Sequence, residues 1–119
     1  MLADTSVWID HLRRGNATLA RFLDDGSVDC HPFVVGELAC GHLRRREEIL
    51  SLMQRLPHVS VVEHDEALAF LKTHRLFGRG IGWVDAHLLA AAALADVSLW
   101  TIDRPLRAAA DSLGLSFVP

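Results

Sequence analysis

Apolar residues alternate along this chain between short continuous runs and three- to four-residue spacing. The runs Met1 to Ala3, Val28 to His31, Val59 to Val62, Val97 to Ile102 and Leu115 to Val118 read as short buried strands. Between them the helical period takes over. Val7, Trp8, Ile9 and Leu12 stripe a first helix that Gly15 ends, and Leu19, Phe22 and Leu23 stripe a second over Ala17 to Leu23, closed by the turn Asp24-Asp25-Gly26. Pro32 opens a third, with Phe33, Val34, Glu37, Leu38 and Gly41 on neighbouring faces. Arg44 to Glu48 is a solvated charge run leading into a helix striped by Ile49, Leu52, Met53 and Leu56 before Pro57. Asp65 caps a helix that turns Ala67, Leu68, Leu71 and Leu76 inward. Phe77 to Gly82, with three glycines, is a pliable connection. Val84 to Leu94 is apolar on nearly every side, so a deeply buried helix is expected there. Pro105 starts the last helix, which runs through Ala108 to Leu113 and stops at Gly114.

Strands separated by helices throughout predict an α/β fold, a three-layer α/β/α sandwich around a short, mostly parallel central sheet. In such folds ligands bind beyond the carboxyl ends of the strands. Asp4 and Asp103 both follow strands.

The length, 119 residues, predicts one domain over residues 1–119. A net charge of −3 excludes binding to nucleic acid through bulk positive charge, so any such contact must be local. Half the residues are hydrophobic, which suggests either a rich core or apolar surface covered by a second copy or a partner. Cys30 and Cys40 lack paired spacing and are expected to be reduced core thiols. No signal peptide or 20-residue apolar span is visible, so a soluble cytoplasmic protein with no membrane association is expected.

Candidate chemistry comes from sorting the 15 acidic residues. Most lie in polar, turn-like company. Asp4, Glu37, Asp85 and Asp103 instead sit in apolar runs expected to carry them inward, where an unpaired carboxylate is costly unless something positive neutralises it. Each has a local alternative. Asp4 and Asp85 could be helix N-caps, Asp103 a turn acid before Pro105, and Glu37 an ion-pair partner of Arg44 or Arg45 or simply exposed. A divalent cation, Mg²⁺ or Mn²⁺, explains all four together. On that reading Thr5 or Ser6 caps the first helix and leaves Asp4 free to face the site. Ser6 and Thr101, each two residues from an acid, are the hydroxyls placed to orient a carboxylate. The seven histidines show no ligand spacing.

These residues carry a resemblance. The opening ADTSVWIDHLRRG, the mid-chain GEL, the segment GWVDAHLLAAAALA and the late LWTIDRPL resemble a PIN-domain ribonuclease of the VapC toxin type, along the whole chain. DTSVWID and the late T-x-D are the specific parts; GEL alone is weak. The resemblance implies a Mg²⁺- or Mn²⁺-dependent endoribonuclease toxin, silenced by a cognate antitoxin and forming a homodimer. It places the family's acids on Asp4, Glu37, Asp85 and Asp103 as catalytic and metal-holding groups, and its hydroxyls on Ser6 and Thr101. RNA would meet Lys72, Arg75, Arg79 and Arg104 around the mouth, Arg79 and Arg104 foremost. Trp8, Trp83 and Trp100 are divided between core packing and a partner groove.

Two other readings compete. An aspartyl-phosphate phosphotransferase also begins with an acid after its first strand, but wants a second acid where this chain has Ser6. A non-catalytic interaction module would use the acidic pocket to bind a basic peptide.

Overall fold

A computed structural model describes residues 1–119. Its sheet is narrow. The strand β1 (Leu2–Ala3) pairs in parallel with β2 (Leu99–Trp100), Leu2 opposite Leu99 and Ala3 opposite Trp100. Isolated parallel bridges widen the sheet on both sides, Leu2 with Asp29, Cys30 with His58, and Leu99 with Ser116. Across the sheet the order is therefore His58, Asp29–Cys30, β1, β2, Ser116. The chain lays down its first three rows in one direction and its last two on the other side of β1. The reversal point lies between β1 and β2, where a crevice opens at the strands' carboxyl ends.

The helices are α1 (Thr5–Arg14), α2 (Ala17–Asp24), α3 (Pro32–Ala39), α4 (Arg46–Gln54), α5 (His64–Thr73), α6 (Trp83–Ala95) and α7 (Arg104–Ser112). α1 packs on α2 and α3, and α3 on α4, whereas α5 packs on α6 and α6 on β2. Right-handed crossovers with this strand order put α1 to α4 on one face and α5 to α7 on the other. The core joins Leu2, Val7, Leu19, Val34, Leu88, Leu89, Leu99 and Leu106, all at most 1% exposed.

Several expectations are revised. The strands are shorter than their apolar runs. β2 stops at Trp100 because the next donors find side-chain acceptors: Ile102 N–H bonds Ser6 Oγ at 3.0 Å, and Asp103 N–H bonds Thr101 Oγ1 at 3.0 Å. The expected strand Val59 to Val62 keeps one ladder bond, Val59 N–H to the Cys30 carbonyl at 2.9 Å. In α6 residues Ala86 to Ala92 are buried as expected, but Leu94 is 67% exposed. Leu68, expected inward on α5, is 47% exposed. α5 is capped by Glu63 rather than Asp65, Glu66 reaching back to the Glu63 N–H at 3.2 Å. Cys30 is buried, whereas Cys40, at the end of α3, is exposed. In the connection before α6, Gly80 takes φ +80° and lies against Pro105, so a side chain there would be strained. No helix is long and apolar enough to cross a membrane.

Candidate active site

Asp4 leaves the sheet at the end of β1 and opens α1. Its backbone N–H is still in the ladder, bonded to the Trp100 carbonyl at 3.0 Å, while its side chain has turned into the crevice between β1 and β2. Only 4% of the residue is exposed. Oδ1 accepts from Ser6 Oγ at 2.6 Å and from the Val7 N–H at 3.2 Å, and Oδ2 accepts from Thr101 Oγ1 at 2.7 Å. Asp4 is thus the N-cap of α1 itself. The expected division of labour, in which Thr5 or Ser6 caps the helix, is overturned: Ser6 Oγ is spent on Asp4 and Thr5 Oγ1 on Glu37.

The two hydroxyls form a matched pair. Each has one proton to give, and each gives it to Asp4, so their mutual contact at 3.3 Å has no proton left to share. Each in turn accepts a backbone N–H from the segment after β2, Ser6 from Ile102 and Thr101 from Asp103. Thr101 therefore orients the acid at the carboxyl end of the neighbouring strand, while serving Asp103 through the backbone. Burial raises the Asp4 carboxyl above its ordinary value, and the bonds from Ser6, Thr101 and Val7 pull against that shift. A carboxylate offers about four lone-pair sites, so these three donors leave room for one further partner.

The other three acids are less enclosed than the apolar runs suggest. Asp85 is half-buried in the first turn of α6. Its Oδ2 accepts the Gly82 N–H at 3.1 Å, so it closes the start of the helix from the third position rather than as N-cap. Glu37 and Asp103 are exposed. Glu37 projects from the α3 face next to α1, and its Oε1 accepts from Thr5 Oγ1 at 2.6 Å. Asp103 is the N-cap of α7, its Oδ2 accepting the Leu106 N–H at 3.1 Å. Nothing in the sequence marks Thr5 as a partner of Glu37, because its helix-cap company hides a role that needs α3 folded against α1.

These acids nevertheless share one space. Asp85's carboxyl is raised first by burial, then by the charges of Asp103, Asp4 and Glu37. The ion pairs of the molecule, Met1–Asp29, Arg14–Asp10 and Arg45–Glu48, involve none of the four. One oxygen of each outer acid, Glu37 Oε2, Asp85 Oδ1 and Asp103 Oδ1, has no protein hydrogen bond. No three His, Cys, Asp or Glu side chains are gathered at metal-coordinating spacing. Asp85 and Asp103 instead rest on local backbone donors, and Asp4 and Glu37 on hydroxyls brought in by tertiary packing.

Among the cations named from the sequence, Arg79 donates to Ser112 Oγ at 3.3 Å, and Arg104 is exposed at the first position of α7, directly after Asp103. Lys72 and Arg75 are exposed near the end of α5. Trp8 and Trp100 are core residues at 4% and 6% exposure, whereas Trp83, two residues before Asp85, is 39% exposed.

Known proteins share the family and the fold of this chain. A family model for the PIN domain matches residues 1–112. The chain is 45% identical over 117 residues to Ribonuclease VapC32 of Mycobacterium tuberculosis strain CDC 1551 / Oshkosh, covering 98% of this chain and 94% of that protein. The protein of the same name in strain ATCC 25618 / H37Rv matches equally. Of solved structures, FitAcB from Neisseria gonorrhoeae has a TM-score of 0.59 at 23% identity, covering 92% of each chain, a likeness of fold.

Proposed function

The chain belongs to the PIN-domain family, of the VapC ribonuclease type, and from that premise we propose that it is a metal-dependent endoribonuclease toxin whose acids Asp4, Glu37, Asp85 and Asp103 form the active site. The observation that carries this reading is four carboxylates grouped by Thr5 and Thr101 at the ends of β1 and β2 with no Lys, Arg or His ion-paired to any of them; burial first, and then the charges of Asp103, Asp4 and Glu37, raise Asp85. Like charges gathered without a counter-charge call for a cation.

The donor set fits Mg²⁺ or Mn²⁺. It is all oxygen, it is anionic, and Glu37, Asp85 and Asp103 each keep one oxygen without a protein donor. No three of these side chains stand at metal-coordinating spacing, so waters would complete the coordination of an ion held by one or two carboxylates. Asp4 supplies the fixed point, since Ser6 and Thr101 hold the plane of its carboxylate. Thr5 sets the reach of Glu37. When bound, the metal supplies Lewis-acid polarisation of the scissile phosphate and the attacking water. The chain's own residues bind and orient; no side-chain nucleophile is needed. Arg104, following Asp103, and Arg79 are proposed phosphate contacts on the α7 side.

The same reading includes a cognate antitoxin, a homodimer and a cytoplasmic setting. Exposed Leu52, Leu68, Phe77, Leu94 and Val118 supply apolar surface for such partners.

The deciding experiment is cleavage of single-stranded RNA by purified protein with Mg²⁺ or Mn²⁺, repeated with chelator and with Asp4→Asn. Cleavage that needs the metal and Asp4 supports the proposal. Activity that survives either change rejects it.

A further inference from the structure

Two clefts meet along α1. One, of about 480 Å³, is lined by Ser6, Ile9, Asp10, Arg13, Ile102 and Asp103 among others. The second, of about 580 Å³, runs between α1, α3 and the segment before α4, past Glu37, Leu38, His42 and Arg44. The first therefore begins at one proposed catalytic acid, Asp103, and the second at another, Glu37. Only Ile9 and Arg13 line both. They stand one helical turn apart and form the ridge between the two clefts.

Arg13 is the free cation of that ridge. Its neighbour Arg14 is held by Asp10, which also accepts from Asn16 at 3.1 Å, and Arg45 is paired with Glu48. Arg13 is exposed and has neither an ion-pair nor a hydrogen-bond partner in the protein. Lys72, Arg75, Arg79 and Arg104 line neither cleft.

We propose that single-stranded RNA crosses the Ile9–Arg13 ridge from the Asp103 cleft to the Glu37 cleft, and that Arg13 binds a phosphate next to the one that is cut. The inference rests on the ribonuclease reading above. Arg13 lies nine residues beyond Asp4, roughly 13 Å along the helix axis, and helical side chains lean back toward the N-terminus. The guanidinium therefore falls over a neighbouring phosphate rather than the scissile one. A polyanion entering a site of four carboxylates needs such a contact outside the acids, and a guanidinium suits phosphate oxygens geometrically. Beyond Arg13 the track continues toward Arg44, which is also without an ion-pair partner.

The test is binding of a single-stranded RNA oligonucleotide in an Asp4→Asn background over a range of salt, with wild-type cleavage assayed alongside. Arg13→Gln should reduce the slope of log affinity against log salt by about 0.7, the loss of one single-strand phosphate contact. Arg13→Lys should restore it, and Arg55→Gln, on exposed surface outside both clefts, should leave it unchanged. An unchanged slope in Arg13→Gln, or an equal loss in Arg55→Gln, overturns the assignment. So does Arg13→Gln that binds RNA normally but dissociates in light scattering, which would make the ridge a contact between copies. Wild-type protein that fails to cleave RNA with Mg²⁺ or Mn²⁺ removes the ribonuclease reading and this inference with it. Cleaving wild-type protein with an unaltered Arg13→Gln slope removes the Arg13 assignment alone.

Discussion

Thr101 Oγ1 donates to Asp4 Oδ2 at 2.7 Å across 97 positions of sequence, tying the carboxyl ends of two neighbouring parallel strands through side chains. The same oxygen accepts the Asp103 N–H, so one hydroxyl fixes the buried acid and the backbone of an exposed one.

Thr101→Val removes both bonds while nearly keeping the shape. It leaves one oxygen of a buried carboxylate and one N–H short of a partner, a loss of about 1–3 kcal/mol. Urea unfolding should show a lower midpoint, and Thr101→Ser should recover most of it. If Thr101→Val matches wild type, the bond is dispensable to the fold.

Asp4→Asn should separate stability from activity. A carboxyl whose pKa is raised by burial is destabilising in its charged form at neutral pH; an amide keeps the Val7 and Ser6 bonds at its one oxygen and donates its NH2 to Thr101 Oγ1, whose proton turns to Ser6 Oγ. The variant is expected to melt no lower than wild type in metal-free buffer and to cleave no RNA. Mn²⁺ should raise the melting temperature of wild type and not of the variant, because a ligand stabilises only the fold that binds it. Equal Mn²⁺ stabilisation of both would place the cation elsewhere.

Glu37→Gln should behave differently from a core change. The side chain is exposed, and an amide oxygen can still accept from Thr5, so chemical denaturation should move by no more than about 0.5 kcal/mol. Cleavage should fall by an order of magnitude or more, since a donor oxygen to the metal loses its charge. Full activity in Glu37→Gln would remove this residue from the site.

His31 makes stability depend on pH. It is fully buried, its Nδ1 accepts the Phe33 N–H at 2.9 Å as the cap of α3, and its Nε2 has no partner. Burial, with smaller contributions from His87 and His58, pushes its pKa down from 6.5 to about 4. The unfolded chain therefore takes up the proton first as pH falls. The stabilisation is complete above about pH 6.5 and is lost toward pH 4, at up to roughly 1.4 kcal/mol per pH unit. His31→Asn retains a capping oxygen and should flatten this part of the stability curve in urea titrations. A variant curve parallel to wild type would show that other groups carry the acid sensitivity.

The order of strands and helices, the start of α3 and the end of α1 were legible in the chain because they depend on local chemistry: apolar period, Pro32, Gly15. Asp4 and Asp103 could be set at strand ends for the same reason. Burial of the acids was less legible. Glu37 lies in the apolar string Phe33 to Leu38, yet it is exposed, since a helix turns successive residues to different faces and α3 buries only Val34 and Leu38. Apolar neighbours in sequence are not neighbours in space.

The sequence by itself determined which residues carry charge and hydroxyl, and where each stands relative to its own strand or helix. Only the tertiary structure decided how they are shared. Ser6 and Thr101 both turn their protons to Asp4, and Asp4 caps α1 unaided, because parallel pairing of β1 with β2 brings residues 4 and 101 side by side at a single crevice. That pairing is a property of the assembled sheet, and no stretch of either strand contains it.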